Sequence, residues 1–487
     1  MGKIKFFDGT DTIGGTKILL EISKKRFFLD FGLNYNRRGM FFEEYLNPRP
    51  ANGMGDLYFL GLLPSIKGIY RKDLLQFIQR EGIKELGDGS EPPFVDGVFL
   101  SHVHFDHSGY ITFLREDIPI YTSKITISLL KAIEDTSNTQ FETSIFKFIR
   151  RPATGSHKDP LYYGTHKANA IYGEEKINGV NVTACPVDHS VPGAMGFIIK
   201  SEEKTIVYTG DLRLHGKTRA DTEQFVRQAR EAHPDILIIE GTNLRAYNDD
   251  ETREFWTEQR VFEEAQKEIH NRKKLVIVDF PFKNIYRFLT FYELAKSSGR
   301  KFVISLKDAY FMDAMKNVGM PVPSLSDPNI YLYLEKKRSG TYDKKDYSSS
   351  WMKNILGKVD ASRIITAKEI RANENNFMLI LRYFNFQQLV DIRPTNGSIY
   401  IHSASEAHSE EQEIDEQRMD NWLKYFNLYP RIHIHASGHA KKDDLFNIVS
   451  EINPKTIIPV HTEHAEEYEE QFGNKVKIVK NGDTIKF

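Results

Sequence analysis

The sequence predicts an α/β protein in which a parallel-sheet domain is inserted into a β-rich shell. Strand-like segments separated by Gly-rich turns fill residues 3–32, and short β character returns over 475–487. Between about 245 and 435, helical and strand-like segments alternate as in βαβ units. The 487 residues exceed the usual size of one hydrophobic core, so two or three domains are expected.

The first half of the chain is predicted to consist mainly of strands, with one long interruption. Patterns of apolar residues predict strands over 3–7, 16–22, 25–32, 94–100, 179–188, 194–200, 204–212 and 235–240, and a helix over 222–232. The interruption, residues 35–95, contains Gly- and Pro-containing loops at 47–56 and 87–93 and a helical pattern over 70–83.

In the second half, the spacing of apolar residues alternates between the pattern typical of a helix and the pattern typical of a strand. Helices are predicted over 252–273, 285–299 and 410–426, and strands over 274–280, 301–305, 377–384, 398–405 and 431–437. The charged stretch 335–350 is expected to be a solvated loop.

Composition excludes several classes of protein. The net charge of -1 indicates no particular partner, so a nucleic-acid surface would have to be a local basic groove. The single cysteine, Cys185, excludes intrachain disulfides and cysteine-based zinc modules, and its apolar strand predicts a packed thiol. Residues 1–15 contain no apolar signal core, and no run approaches membrane-spanning length. A cytoplasmic protein without membrane contact is therefore expected.

The motif SHVHFDHSGY, residues 101–110, places three histidines and an aspartate just beyond a predicted strand. In extended backbone, His102 and His104 project to the same side, while Asp106 and His107 follow where a helix can begin. Imidazole nitrogens and carboxylate oxygens are ligands that zinc prefers. One metal cannot easily use all four side chains, but two adjacent metals can share them. The alternative is a chance cluster of surface histidines.

Three more candidate ligands lie at the ends of later strands. His189 follows NVTACPVD, Asp211 ends the strand in KTIVYTGD, and His461 ends the strand in TIIPVH. Rigid strand ends fix the geometry of such ligands. Asp211 is suited to bridge two ions, and a pair of metals about 3.5–4 Å apart is the arrangement used in two-metal phosphoester hydrolysis.

These motifs, taken together and in this order, resemble the metallo-β-lactamase superfamily. The resemblance rests on H-x-H-x-D-H at residues 102–107, a later lone histidine, a strand-ending aspartate and a final histidine. The long insertion between Asp211 and His461 resembles the β-CASP domain of the nucleic-acid-processing branch. Glu240 in IIEGTN, His439 in ASGHA and His461 in IPVHTEH match three further motifs of that branch.

The resemblance implies a fold, namely an αββα sandwich with an inserted, Rossmann-like β-CASP domain. Residues 1–244 would form the first part of the metallo-β-lactamase domain, including the 35–95 insertion. Residues 245–435 would form the β-CASP domain, and 436–487 the rest of the first domain.

It also implies a dinuclear site. One Zn²⁺ would be held by His102, His104 and His189 and a second by Asp106, His107 and His461, with Asp211 bridging them; carboxylate-containing sites also admit Mn²⁺. Asp30, in FFLDFG, matches an early strand-end aspartate that supports the ligands.

Asp106, Glu240 and His439 are the candidate catalytic residues. By the resemblance, His439 contacts the scissile phosphate or protonates the leaving oxygen. Glu240 orients a neighbouring histidine, although a plain strand-end cap is the alternative for this residue.

The third motif bears on the substrate. RNA-directed members of the family usually carry histidine where this chain has His461, and DNA-directed members usually carry valine. The overall likeness is to ribonuclease J-type and archaeal β-CASP ribonucleases. It implies a two-metal 5′→3′ exoribonuclease of RNA processing or decay, leaves endonuclease activity and a homodimer open, and favours RNA with a free 5′-monophosphate.

The segments SIYIHSASE and IHASGHAKKDD provide a candidate phosphate pocket. Serine hydroxyls and the backbone N–H groups of a helix beginning near Lys441 suit a phosphate. The resemblance implies contacts from Ser403, Ser405, His435, Ser437 and Gly438, with turn capping as the alternative for Ser403 and Ser405.

Two other functions stay open. One is a hydrolase of single-stranded DNA or of small molecules on the same scaffold, with the inserted domain as a lid. The other is an inactive scaffold subunit, which the complete set of candidate ligands argues against.

Overall fold

The computed structural model describes residues 2–43, 45–137, 144–150, 162–202, 204–245, 256–270, 272–405 and 410–487. Within these ranges, three large sheets and a two-stranded ribbon, Lys147–Arg150 with Tyr162–Thr165, make up the β structure. Of the helix predicted over 252–273, residues 252–255 and 271 lie outside the described residues.

The first sheet has seven strands and comes mostly from the early part of the chain. In Lys3–Asp8 every second residue is buried, the pattern of a strand with one covered face. The pairings are antiparallel as far as Lys25–Phe31 and parallel beyond it. In spatial order, the strands are Thr484–Lys486, Lys3–Asp8, Lys17–Ile22, Lys25–Phe31, Gly97–Phe99, Ile120–Thr122 and Ala168–Ala170.

The second sheet has six strands, and three of them run parallel with their carboxyl ends at one edge. These are Thr205–Tyr208, Ile236–Glu240 and Thr456–Val460, so the residues that follow each strand are brought together. In spatial order, the strands are Thr456–Val460, Ile236–Glu240, Thr205–Tyr208, Met195–Lys200, Val180–Pro186 and Gly173–Ile177.

Apolar residues from both sheets fill the space between them. The ring centroids of Phe27 and Phe99 are 4.8 Å apart, and those of Phe99 and Phe197 5.5 Å, within the range of favourable aromatic pairs. Helices Arg219–Glu231 and Lys442–Ile452 cover the outer face of the second sheet. Helices Lys72–Arg80 and Lys124–Thr136 contribute buried residues to the core outside the first sheet. The predicted αββα sandwich is confirmed.

The third sheet has seven strands, all parallel. Its central strands, such as Val276–Asp279 and Phe377–Ile380, are buried on both faces, as expected when helices cover a parallel sheet on two sides. The predicted Rossmann-like sheet is thereby confirmed. In spatial order, the strands are Ile364–Ile365, Ile330–Tyr333, Lys301–Ser305, Phe377–Ile380, Val276–Asp279, Ile399–His402 and Ile432–His433.

The helices of the described ranges fall into three groups along the chain. Before the third sheet lie Tyr35–Gly39, Gly55–Phe59, Lys72–Arg80, Phe105–Ser108, Lys124–Thr136 and Arg219–Glu231; around it lie Glu258–His270, Ile285–Ser297, Leu306–Asn317, Ser350–Gly357, Ala367–Ala372, Gln388–Ile392 and Glu410–Tyr425; after it come Lys442–Ile452 and Glu466–Phe472. Short 3-10 turns occur at Pro50–Asn52, Ile111–Phe113, Lys344–Tyr347, Ala361–Arg363, Glu374–Asn376, Tyr383–Asn385 and Gly473–Lys475.

Two of the expectations for local structure hold only in part. The stretch 335–350 is not wholly a solvated loop, because Tyr347 lies in a 3-10 turn, is buried, and donates its hydroxyl to the Glu335 carbonyl at 2.5 Å. The predicted strand 431–437 is reduced to Ile432–His433, since its following residues turn toward the first two sheets.

The remaining comparisons concern Cys185, membrane contact and the domain limits. Cys185 is buried as predicted, and burial raises the pKa of its thiol to about 12. None of the helices in the described ranges is long and apolar enough to span a bilayer. The limits at 244/245 and 435/436 stay proposals; the stretch 246–255 lies outside the described residues.

Candidate metal centre

The histidine-rich motif is held in place by backbone contacts with the first strands. Helix Phe105–Ser108 follows strand Gly97–Phe99, and the amides of Gly15 and Thr16 donate to the Asp106 carbonyl at 3.0 and 3.1 Å. A Cβ at Gly32 would lie 1.6 Å from that same carbonyl oxygen, so this close approach requires glycine. The Gly-rich turns near the start of the sequence therefore position the motif.

The first group of candidate ligands consists of His102, His104, His189 and Asp211. The ring nitrogens His102 Nε2 and His189 Nε2 lie 3.0 and 3.1 Å from His104 Nδ1. Asp211 Oδ2 lies 3.5 Å from His102 Nε2 and 3.9 Å from His189 Nε2. Burial holds the pKa of His102 and His189 well below the usual range, so these imidazoles are neutral, the form that binds metals.

The second group consists of Asp106, His107, His461 and the same Asp211. Asp211 Oδ2 lies 3.1 Å from His107 Nε2 and 3.8 Å from His461 Nε2, and Asp106 Oδ2 lies 3.1 Å from His461 Nε2. Within each group the ligand atoms all lie within 4.8 Å of one another. His461 has a φ of 53°, a left-handed backbone that is uncommon for a residue with a side chain and is concentrated at functional sites.

Asp211 is the residue shared by the two groups. Its carboxylate is 2% exposed; Oδ2 lies 3.1 Å from His107 Nε2, but among the described residues neither oxygen of Asp211 makes a hydrogen bond of normal geometry, nor does His107 Nε2. Burial would raise the pKa of Asp211, but His107, His461 and His439 hold it well below the usual range. A buried, ionised carboxylate without hydrogen bonds is costly unless cations neutralise it. The donor set therefore fits two divalent metals with Asp211 between them.

Asp30 forms hydrogen bonds that orient the candidate ligands. Its carboxylate accepts hydrogen bonds from the Ser101 amide and hydroxyl, both at 2.7 Å, and from the Tyr208 hydroxyl at 2.6 Å. The Nδ1 atom of His107 lies 2.7 Å from Asp30 Oδ2, which leaves Nε2 to face Asp211. A carboxylate that fixes the orientation and tautomer of a ligand histidine strengthens metal binding.

Replacing Asp30 with Asn is expected to weaken metal binding about 10- to 100-fold, because His107 loses its orienting carboxylate. Competition with a chromogenic zinc chelator would measure this. Asp96, a carboxylate near the same sheet that pairs with Lys25 at 3.1 Å, provides the control, and Asp96→Asn should leave the affinity unchanged. Equal affinity in Asp30→Asn and the wild type would contradict the assigned role.

Glu240 and His439 form a pair beside the second group. His439 Nδ1 lies 3.0 Å from Glu240 Oε2, and Glu240 Oε1 accepts the Leu212 amide at 2.9 Å. The Thr242 hydroxyl lies 3.1 Å from His439 Nδ1 and 2.9 Å from His461 Nδ1. The histidine that neighbours Glu240 is thus His439, and Thr242 is a contact that the sequence motifs did not single out.

Residues of the predicted phosphate pocket lie close to the candidate metal ligands. The Gly438 carbonyl contacts His189 Nδ1 at 2.6 Å, and a Cβ at Gly438 would meet Ser190 at 2.9 Å. The Ser437 hydroxyl accepts hydrogen bonds from the Asn243 amide group at 2.9 Å and the His439 backbone amide at 3.2 Å. His435 is partly buried, and its Nδ1 has no partner among the described residues.

Ser403 and Ser405 differ in their environment. Ser405 is exposed. Ser403 is fully buried, donates its hydroxyl proton to the Ile434 carbonyl at 2.5 Å and accepts a hydrogen bond from Arg287. The Ser403 hydroxyl can donate to a phosphate only by giving up its hydrogen bond to the Ile434 carbonyl. The role of Ser403 in phosphate binding stays a prediction.

A buried charge network was missed in the sequence, because no local motif marks its members. Glu258 is 3% exposed and lies between two fully buried arginines, 3.0 Å from Arg213 Nη1 and 2.8 Å from Arg287 Nη2. Arg213 also donates to the Ser437 carbonyl at 2.9 Å, and Arg287 to the Ser403 carbonyl at 3.1 Å. The network connects the sandwich that carries the candidate ligands with the elements of the third sheet.

Comparison with protein families agrees with this geometry. Residues 73–277 match the model described as "Beta-lactamase superfamily domain". Residues 429–479 match "Zn-dependent metallo-hydrolase RNA specificity domain", a range that includes His439 and His461. Residues 73–277 and 429–479 belong to the metallo-β-lactamase superfamily.

Within this superfamily, the chain is similar to ribonucleases J. It is 26% identical to Ribonuclease J 2 of Streptococcus pyogenes over 44% of this chain and 35% of that protein. It is 21% identical to Ribonuclease J of Pyrococcus abyssi over 100% of this chain and 97% of that protein. The chain spans only 35% and 39% of the lengths of Ribonuclease J 2 from S. pyogenes and from Staphylococcus saprophyticus.

A crystal structure of a protein of unknown function from Enterococcus faecalis V583 has the same fold. The two chains superpose with a TM-score of 0.73 over 99% of each, at 23% identity. The likeness extends over the sandwich and the third sheet together and concerns the fold alone.

Proposed function

We propose that this metallo-hydrolase is a two-metal ribonuclease that degrades RNA from a 5′-monophosphate end in the 5′→3′ direction. The observation that carries the proposal is the joint position of His439 and His461. Both lie in the segment that matches an RNA specificity domain, and both belong to the cluster around Asp211. The similarity to ribonucleases J along the chain supports the same substrate class.

In this proposal, the seven ligands assigned above hold two Zn²⁺ ions, or Mn²⁺ ions in their place. When bound, such a pair lowers the pKa of water and offsets negative charge on the reacting phosphate. The chain supplies neutral imidazoles from the first group and the shared Asp211 carboxylate from the edge of the second sheet.

His439 is the proposed proton donor to the leaving oxygen. Its Nδ1 is held by Glu240, so the ring is fixed and Nε2 is directed away from that carboxylate. Burial lowers the pKa of His439, but Glu240 and Asp211 raise it to about 9. General-acid catalysis of this kind typically contributes about 10²- to 10⁴-fold to the rate.

The 5′-monophosphate is proposed to bind near Ser437, Gly438 and His435. These residues join the third sheet to the ligands, since the Gly438 carbonyl contacts His189 and the Ser437 carbonyl accepts from Arg213. A terminal phosphate held there would lie at a fixed separation from the metals, which favours removal of nucleotides from the 5′ end over internal cleavage.

The proposal is tested with RNAs of one sequence that carry a 5′-monophosphate or a 5′-triphosphate and a label at the 5′ end, with His102→Ala as the inactive control. Labelled mononucleotides are expected from the monophosphate RNA, and more slowly from the triphosphate RNA. Failure to release mononucleotides from either RNA would falsify the exonuclease assignment, and a ladder of internal products would indicate an endonuclease. Preferred cleavage of single-stranded DNA, or of a generic phosphodiester only, would contradict the substrate class.

A further inference from the structure

Two lysines of the third sheet lie at the side of the metal centre. Lys283 follows strand Val276–Asp279, and Lys307 lies in the first turn of Leu306–Asn317, directly after strand Lys301–Ser305. Both therefore occupy the carboxyl edge of a parallel sheet, where open α/β sheets bind their ligands. Lys283 Nζ lies 5.1 Å from the ring centroid of Phe105, the residue between His104 and Asp106.

Neither ammonium group makes a close ion pair. Within the described ranges, Lys283 and Lys307 make no ion pair or hydrogen bond, although both are partly buried. Lys307 Nζ lies instead 4.2 Å from the ring centroid of Phe282. The contrast is Arg382, which follows the intervening strand and pairs with Asp308 at 2.6 Å. Two adjacent, partly desolvated cations whose carboxylate neighbours form no direct ion pair with them favour an anion between or above them.

Lys283 lies nearer to the candidate metal ligands, and Lys307 lies farther from them. Burial lowers the pKa of Lys283 to about 8, and this group interacts with both Asp106 and Lys307. Burial also lowers the pKa of Lys307, whose charged neighbours include Asp308 and Arg382. The contacts of Lys283 with Phe105 and of Lys307 with Phe282 place the two lysines in succession beside the histidine-rich motif. A nucleic-acid strand carries one negative charge per nucleotide, so a strand that leaves the metal centre along this side brings phosphates past both lysines.

We propose that Lys283 and Lys307 bind backbone phosphates adjacent to the scissile phosphate and so select strands of several nucleotides over single phosphodiesters. This inference rests on the proposed ribonuclease function and names a strand-binding site of that enzyme. The site is the local basic surface that a chain of net charge -1 requires if it acts on RNA.

The experiment compares two substrates in the metal-loaded enzyme, an eight-nucleotide 5′-monophosphate RNA and bis(p-nitrophenyl) phosphate, which has only one phosphate. The variants are Lys283→Ala, Lys307→Ala and Lys283→Arg. Lys296→Ala is the matched control, because Lys296 lies near the other end of the helix that follows Lys283, is exposed, and packs 5.4 Å from the Tyr292 ring centroid.

Each alanine variant at 283 or 307 is expected to lower kcat/KM for the RNA at least about tenfold, the usual effect of removing a hydrogen bond to a charged group. Hydrolysis of bis(p-nitrophenyl) phosphate should stay within about twofold of wild type, because the inference places neither lysine against a single phosphate. Lys283→Arg should retain RNA cleavage. The slope of log kcat/KM against log salt concentration should become less steep by about 0.7 for each phosphate of the single strand that the variant no longer neutralises.

The outcomes separate the two proposals. If wild type cleaves RNA but the alanine variants match Lys296→Ala, or are impaired equally on both substrates, the lysine site is wrong and the ribonuclease function stands. If wild type cleaves the small phosphodiester but no RNA, the ribonuclease proposal fails, and the lysine site falls with it.

Discussion

Replacing Asp211 with Asn is expected to reduce RNA cleavage at least about 1,000-fold, because metal-ion catalysis supplies several kcal/mol of transition-state stabilisation. Bound metal should fall below two ions per chain at the same time. The reason is geometric: Asp211 Oδ2 is within 3.9 Å of ring nitrogens from both ligand groups. Asparagine keeps the shape of the side chain but cannot neutralise two cations.

Metal-free Asp211→Asn should unfold at a lower temperature than metal-free wild type. The substitution removes the charge contacts of Asp211 Oδ2 with His107 Nε2 at 3.1 Å and His461 Nε2 at 3.8 Å, which hold the pKa of Asp211 well below its usual range. Asp117→Asn, at an exposed carboxylate 2.7 Å from Arg115, is the control and should retain both metals and activity. An Asp211→Asn enzyme with full activity and two metals would show that Asp211 does not bridge them.

Replacing Glu258 with Gln is expected to lower the free energy of unfolding by about 3–5 kcal/mol, since it leaves the buried Arg287 without its acidic partner. Arg213 keeps the buried carboxylate of Asp188 at 3.3 Å. Glu258 is the only acidic partner that Arg287 contacts among the described residues, through Nη2 at 2.8 Å and Nε at 3.2 Å. Glu258 also pairs with Arg213, which donates a hydrogen bond to the Ser437 carbonyl. The variant should therefore also lose part of its activity, as the segment around Ser437 loosens.

The contribution of Glu258 to the free energy of unfolding should decrease as the pH is lowered. Burial raises its pKa, but Arg287 and Arg213 more than offset this and hold the pKa well below the usual value. A carboxyl with a depressed folded-state pKa contributes its full stability above the unfolded value of about 4.3, and loses it as the pH falls through the folded value. The stability difference between wild type and Glu258→Gln should therefore be full at pH 7 and smaller at pH 3.

Urea unfolding of both proteins at pH 7 and pH 3 measures this difference. Glu263→Gln is the matched control, because Glu263 lies on the same helix, is exposed, and contacts only Gln259 at 2.8 Å among the described residues. The control should match wild type at both pH values. A Glu258→Gln variant as stable as the control at pH 7 would show that the network does not hold the two parts of the fold together.

The strand ends explain why much of the site can be predicted from sequence. His102, His104, Asp106 and His107 are close in the chain, so the extended and helical geometries decide where they point. Asp211 and His461 come together because the strands that precede them are parallel and have their carboxyl ends at one edge. The alternation of strands and helices after residue 245 likewise predicts a parallel sheet.

Other features depend on which strands become neighbours, and a single sequence does not specify this. Arg213 and Glu258 are 45 positions apart, and Ser403 lies 116 positions from Arg287. The contact of Lys283 with Phe105 arises only because the third sheet directs its carboxyl edge at the sandwich. The burial of Ser403 follows from its position between Arg287 and Ile434, which no turn signal reveals.

The central claim is that seven side chains form one site for two metals. Mass-spectrometric metal analysis of the purified protein, with protein concentration from amino-acid analysis, tests it most directly. We expect close to two zinc or manganese ions per chain in wild type and clearly fewer in His102→Ala and Asp211→Asn. A wild-type chain that binds one ion or none after reconstitution with excess Zn²⁺ or Mn²⁺ would contradict the dinuclear site.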